Sequence, residues 1–257
     1  MAAMPSDANS RADRGSKQTP DVAVILAGAG EGRRMGDYGP KLLIEVGGRP
    51  ALVRVAETFL AHPATGELVL TVPVELEGEA VRALTRTANP RGVRVSIIPG
   101  GETRQESVAL AIDALTTDLP FIAVHDVARV LVDAPLIDRV LFAAREHGAA
   151  IPALPLSDSI KEVVTGPGED QIGRSVPREH LVAAQTPQVF ASAILRKAHA
   201  HARGSRVTAT DEAGLAEAIG VSVSVVPGDE RNRKLTVPSD LIILNALLRA
   251  GAEGENR

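Results

Sequence analysis

Short runs of aliphatic and β-branched residues alternate with helical stripes along most of this chain, and that alternation constrains the fold more than anything else in it. Val22–Leu26 reads as a buried strand. Leu52, Val55, Ala56, Phe59 and Leu60 then fall on one helical face. Leu68–Val72 and Val93–Ile98 read as strands with a helical stretch between them. Thr103 and Glu106 have the spacing of a capping box, with Val108, Ala111, Ile112 and Leu115 as the apolar stripe behind it. Phe121–Val124 is the next strand, a helix striped by Ile137, Val140, Leu141 and Ala144 follows, and Ala149–Leu154 is a strand again. Strands that alternate with helices imply βαβ units and a mostly parallel sheet covered on both faces. Such sheets bind ligands at the carboxyl ends of their strands.

The alternation breaks once. Ser159–Val164 and Gln171–Val176 flank the turn-rich segment Gly166-Pro-Gly-Glu-Asp170, which predicts a hairpin projecting from the α/β body. Exposed strand edges tend to find a partner, so a dimer through this arm is expected. Beyond it come a helix near Ser192–His201, another from Asp211 to Ile219, a strand at Val221–Val226 and a last helix from Ser239 to Ala250. We read one domain over residues 21–250, with an arm at about 157–178. Residues 1–20 and 251–257 read as flexible tails.

Composition narrows the function classes. Lys and Arg total 28 against 32 Asp and Glu, a net charge of −4, and there are four Phe, one Tyr and no Trp. A nucleic-acid partner calls for a basic excess and stacking platforms, and this chain has neither. It contains no cysteine, so disulfides, thiolate metal sites and a cysteine nucleophile are excluded. No apolar run approaches the roughly 20 residues that span a bilayer. Residues 1–20 lack the apolar core of a secretory signal, which makes the cytoplasm the expected location.

The strand ends carry the chemistry. The first strand runs into Ala27-Gly-Ala-Gly-Glu-Gly-Arg-Arg-Met-Gly36, with Lys41 after Gly39-Pro40. Glycines at alternate positions let the backbone close on a ligand and turn its N–H groups toward an anion. Arg33, Arg34 and Lys41 add cations suited to a triphosphate. The dinucleotide fingerprint is excluded, because the third glycine it needs would stand at Arg33. A Walker loop is excluded too, since Lys41 lies between Pro40 and Leu42. Further loaded ends are Pro99-Gly-Gly-Glu-Thr-Arg104 with Ser107, and His125-Asp-Val-Ala-Arg129. Gln185-Thr-Pro-Gln188, Thr210-Asp-Glu212 and Arg231-Asn-Arg-Lys234 carry weaker signals, each also readable as ordinary capped or solvated loops.

Taken in order, LAGAGEGRRMG…PK, GGETRQES, HDVAR, SDSIK, SVPR, QTPQ, TDE and NRKLT resemble the 2-C-methyl-D-erythritol 4-phosphate (MEP) cytidylyltransferase family over roughly residues 21–250. The resemblance implies a Rossmann-like α/β domain, a β-arm, a homodimer and the Mg2+-dependent reaction of MEP with CTP to CDP-methylerythritol and pyrophosphate, a step of non-mevalonate isoprenoid biosynthesis. It implies Arg34, Lys41, Arg178 and Lys234 as the catalytic cations, with Arg178 serving the partner subunit's site. It implies CTP contacts at Ala27, Gly28, Ala29, Gly30, Gly32, Gly101, Glu102, Arg104, Ser107 and Val127. Asp126, Arg129, Ser159, Thr186 and Thr210 match positions that hold the acceptor. Mg2+ is expected mainly on the phosphates of CTP. The chain departs from the family pattern at Gly28, Val127, Val130, Glu102 and Ser159, where Ala, Ala, Pro, Asp and Thr are usual. Two other readings stay open: a cytidylyltransferase for another polyol phosphate such as ribitol 5-phosphate, and a nucleotide-binding homologue without turnover.

The chemistry agrees with an enzyme that has no general base. A phosphomonoester already carries a charge of about −1.5 to −2 near neutral pH, so the nucleophile needs no activation. The barrier lies in bringing two anions together and spreading charge over the transition state, which is work for cations.

Overall fold

The first strand, β1 (Val22–Ala27), shows why the chain needs two layers of helix. Val22, Val24 and Leu26 point to one face and Ala23 and Ile25 to the other, and all five are buried. A strand buried on both sides must be central in its sheet. In the computed structural model, which describes residues 19–30, 38–166 and 168–254, β1 lies between two parallel neighbours.

The elements follow in chain order. A 3-10 turn at Lys41–Leu43 and the two-residue strands β2 (Glu45–Val46) and β3 (Arg49–Pro50) precede α1 (Ala51–Ala61). Then come β4 (Thr65–Val72), α2 (Glu77–Thr85), β5 (Arg94–Pro99), α3 (Arg104–Ala114), β6 (Phe121–Asp126), α4 (Ala134–His147) and β7 (Ala149–Pro155). The hairpin is β8 (Ile160–Val164) and β9 (Gln171–Val176), a two-stranded antiparallel sheet of its own. The chain finishes with β10 (Val182–Ala184), β11 (Gln188–Ala191), α5 (Ser192–Ser205), α6 (Glu212–Glu217), β12 (Ser224–Pro227) and α7 (Pro238–Gly254).

The main sheet has eight strands in the order β10-β7-β11-β6-β1-β4-β5, with β12 paired to β7. β5, β4, β1 and β6 run parallel, and so do β12 and β7. β11 and β10 run antiparallel to their neighbours. The sheet is mostly parallel, as expected, and mixed at one side, because β11 inserts between β6 and β7. Gln185-Thr-Pro-Gln188 therefore enters the sheet beside β6 rather than lying in an outer loop. β12 is also shorter than the run Val221–Val226 suggests.

Two cores sandwich the sheet. One joins Val22, Val24 and Leu26 to α1, α4 and Leu244 of α7. The other joins Ala23 and Ile25 to Val108, Ala111 and Ile112 of α3, Leu195 of α5 and Ala213 and Ala216 of α6. Asp133 caps α4 by accepting from Leu136 N, and Gly148 ends that helix in a left-handed conformation. Among the described residues, no helix is long and apolar enough to cross a membrane.

Candidate active site

The carboxyl ends of β1, β5 and β6 meet in one cavity of about 420 Å3. Ala27, Gly28, Ala29 and Gly30 form one wall, and Gly101, Glu102, Thr103, Arg104 and Ser107 the opposite one. Lys41, Asp126, Val127 and Lys234 complete it. Twelve of the nineteen expected site residues thus line one pocket. Arg34 and Gly32 lie outside the described residues.

The loops approach each other too closely for larger residues. A Cβ on Gly100 would stand 2.2 Å from the Ala29 Cβ. The loop after β5 is tied down by the start of α3. Thr103 Oγ1 accepts from the Glu106 main chain at 3.0 Å, as the capping spacing predicts. The return bond differs from the standard box: Glu106 Oε2 accepts from Glu102 N at 2.9 Å, one residue earlier than the cap. Ser107 Oγ accepts from Gly101 N at 3.0 Å and donates to Thr103 O at 2.8 Å, so this hydroxyl orders the loop it lines.

The floor is a chain of four charges. Arg104 donates from Nε to Asp126 Oδ1 and from both Nη atoms to the two oxygens of Glu212, each at 2.9 Å. Lys234 Nζ donates to Asp126 Oδ2 at 2.6 Å. Burial alone would raise the Asp126 carboxyl, but Arg104 and Lys234 outweigh it and hold the group well below the usual carboxylate range. Glu212 is fully buried; burial is the larger influence there and raises its carboxyl despite Arg104. Arg104, although half-buried, is held more firmly protonated by its two carboxylates. The sequence pointed to the stretch Thr210-Asp-Glu212 but assigned Glu212 no role. Its one signal is an acid just after Asp211, whose side chain caps α6 by accepting from Gly214 N at 3.0 Å.

Lys234 is placed by its neighbours. Leu235 N donates to Ala128 O at 2.8 Å, and Asn232 Nδ2 donates to Thr186 O at 2.8 Å. Arg129, expected to hold an anion, spends Nη1 on Asn232 O at 2.9 Å and Nη2 on Ala184 O at 3.1 Å. It braces the lysine-bearing loop against β10. Thr186 is buried, and its hydroxyl meets Asp126 N at 3.1 Å and His125 Nδ1 at 3.0 Å. Ser159, Arg178 and Thr210 are exposed and stand apart from the cavity lining. Arg178 contacts the Ser157 carbonyl at the root of the hairpin. Ser159 immediately precedes β8.

A glycine-walled pocket at the parallel strand ends, facing a helix N-terminus and floored by fixed cations, makes this a Rossmann-like nucleotidyltransferase domain. More specifically, the chain belongs to the 2-C-methyl-D-erythritol 4-phosphate cytidylyltransferase family, whose model matches residues 22–250. It is 40% identical over 238 residues to the protein of that name from Solibacter usitatus, across 90% of this chain and 97% of the relative. The corresponding Thermus thermophilus protein is 39% identical over 229 residues, across 89% of this chain and 98% of the relative. The crystal structure of a Thermus thermophilus cytidylyltransferase of this family superposes with a TM-score of 0.70 at 37% identity, covering 89% of this chain and 99% of that one. The Anaerococcus prevotii 4-diphosphocytidyl-2C-methyl-D-erythritol synthase shares the fold at a TM-score of 0.76 and 24% identity, covering 90% and 99%.

Proposed function

We propose that this chain transfers the cytidylyl group of CTP to 2-C-methyl-D-erythritol 4-phosphate, giving CDP-methylerythritol and pyrophosphate in isoprenoid biosynthesis. The observation that carries the reading is the pocket that brings Ala27–Gly30, Lys41, Asp126 and Lys234 together, in a chain of this family. A phosphate oxygen of the acceptor attacks the α-phosphorus of CTP, and the bond from that phosphorus to the bridging oxygen of the β-phosphate breaks. Pyrophosphate leaves with that electron pair. Lys41 and Arg34 offset charge on the α-phosphate, and Lys234 and Arg178 steady the acceptor phosphate. The glycine loop wraps the triphosphate, while Gly101, Glu102, Arg104, Ser107 and Val127 frame the cytidine end. Asp126 aligns Lys234 and Arg104 by holding one on each carboxylate oxygen.

Mg2+ fits this site as an ion carried in on the nucleotide. Among the described residues no three His, Asp or Glu side chains gather as ligands, and both Asp126 oxygens already hold cations. Phosphate and water oxygens would hold the ion in a cavity whose lining includes the carboxylates of Asp126 and Glu102; it would neutralise phosphate charge.

We further propose a homodimer in which the hairpin reaches the partner's pocket. Val163, Val164 and Ile172 are exposed on the hairpin at 54%, 57% and 67%, and Arg178 follows it outside its own chain's cavity. Ser159 and Thr210 would hold the acceptor in that shared site. The cytoplasm, where CTP is at hand, is the proposed location.

Pyrophosphate release from CTP and Mg2+ tests the reading, with MEP and ribitol 5-phosphate offered in parallel. Release with MEP alone is expected. Release with ribitol 5-phosphate instead would replace the acceptor, and release with neither by a CTP-binding protein would end the enzymatic reading. Mixing Arg178→Ala chains with Lys41→Ala chains should restore activity if the site is shared; mixed dimers without activity would remove the cross-subunit role.

A further inference from the structure

β6 ends in a buried imidazole that the chemistry above leaves unused. His125 is 0% exposed, its ring tilted against Phe59 of α1 with centroids 5.2 Å apart. Nε2 lies 3.1 Å from the main-chain oxygen of Arg129, and Nδ1 lies 3.0 Å from Thr186 Oγ1. A carbonyl oxygen can only accept, so Nε2 carries a proton. Burial pushes the imidazole down to about 4, so at neutral pH it holds one proton and Nδ1 is bare. The group facing a bare Nδ1 must donate. Thr186 therefore turns its hydroxyl proton inward.

The same oxygen has a second task. Antiparallel pairing of β11 with β6 runs from Phe121 to Val124, and beyond it Thr186 Oγ1 accepts the Asp126 main-chain N–H at 3.1 Å. A hydroxyl has one proton and two lone pairs. The proton and one lone pair are spent inside the protein. One lone pair remains, on a residue 4% exposed. It can accept a hydrogen bond and cannot donate one. A phosphate dianion, which also only accepts, gains nothing from it.

We propose that Thr186 serves cytidylyl transfer through Asp126, not by donating to the acceptor's phosphate, and that His125 is the positioning residue that keeps the threonine proton turned inward. The inference deepens, and rests on, the cytidylyltransferase reading of the pocket. By fixing the Asp126 main chain, the pair fixes the carboxylate that holds Arg104 and Lys234.

Pyrophosphate release by the wild-type protein comes first, since its absence would remove the reaction itself. The tautomer is then read on the same protein from the imidazole 15N shifts. A proton on Nε2 and a bare Nδ1 at pH 7 are expected. A proton on Nδ1 would overturn the proposal, because the hydroxyl proton would be free to face substrate. The second arm is kinetic. Thr186→Val is expected to lower kcat roughly ten- to a hundredfold, as a small misplacement of catalytic groups does, with any change in acceptor KM coming through Lys234. Thr186→Ser should recover most of that loss, and Thr186→Val should lower kcat no further in an Asp126→Asn background. A rise confined to the acceptor KM, additive with Asp126→Asn, would overturn the proposal. Should Thr186→Val not fold, the wild-type tautomer still decides.

Discussion

Gly28 and Val127 share one space: a Cβ added to Gly28 would stand 3.3 Å from Val127 Cγ2 and 2.8 Å from the Thr71 carbonyl oxygen. These are two of the positions where the chain departs from the pattern it resembles, which carries alanine at both. The smaller residue at one faces the larger residue at the other, so the two departures compensate. Gly28→Ala is expected to cost on the order of 1–3 kcal/mol by overpacking and to weaken CTP binding. Val127→Ala in the same chain should recover part of it, and only part, because the Thr71 carbonyl stays. Urea denaturation of the single and double variants checks this; strictly additive effects would break the link.

Lys41 and Lys234 reach the pocket from opposite ends of the sequence. With the roles proposed for them, Lys41 at the α-phosphate and Lys234 at the acceptor phosphate, Lys41→Ala and Lys234→Ala should each lower kcat about a hundredfold or more while the chain stays folded. Pyrophosphate release alongside thermal melting separates the two effects. Unchanged turnover in either variant would cancel that residue's role.

Glu212 is the hidden end of the charge chain. Glu212→Ala leaves the part-exposed Arg104 with Asp126 as its one carboxylate and should cost about 1–3 kcal/mol, the usual penalty for donors left unpaired. Glu212→Gln keeps shape and one acceptor and should cost less. Equal losses for the two would mean that the charge and the two-oxygen fork, which both variants remove, set the stability, and that the shape and acceptor kept by glutamine do not.

Three buried histidines give the protein a pH-dependent stability. Burial lowers His62, and takes His125 and His199 from 6.5 to about 4. Their neutral forms belong to the fold, so their contribution is complete above about pH 6.5 and is lost as the pH falls toward 4. Glu212, whose carboxyl is raised above its usual 4.5, works with the opposite sign. The urea midpoint should fall between pH 7 and pH 4.5, and His199→Gln should flatten that slope. A flat wild-type profile would contradict the assignment.

The periodicity of the chain made most elements legible. Val22–Leu26 reads as a buried strand, and the loop after it is where the cavity opens. Thr103 was legible as a cap because its partner is three residues away. β11 was not legible as an inserted antiparallel strand, for a four-residue run such as Gln188–Ala191 has no period of its own to show its direction.

Glu212 and His125 show what lies beyond pattern. Arg104 meets Glu212 across 108 residues, and Lys234 meets Asp126 across the same interval. The alternating elements, the glycine-rich strand ends and the residue types gathered there are written in the chain, because they depend on neighbours within a turn or a strand. Which charges cancel, which hydroxyl proton turns inward and which expected contacts stand apart from the pocket emerge only once the chain is folded. Strand order sets those distances, and it follows from how both faces of the sheet are buried at once.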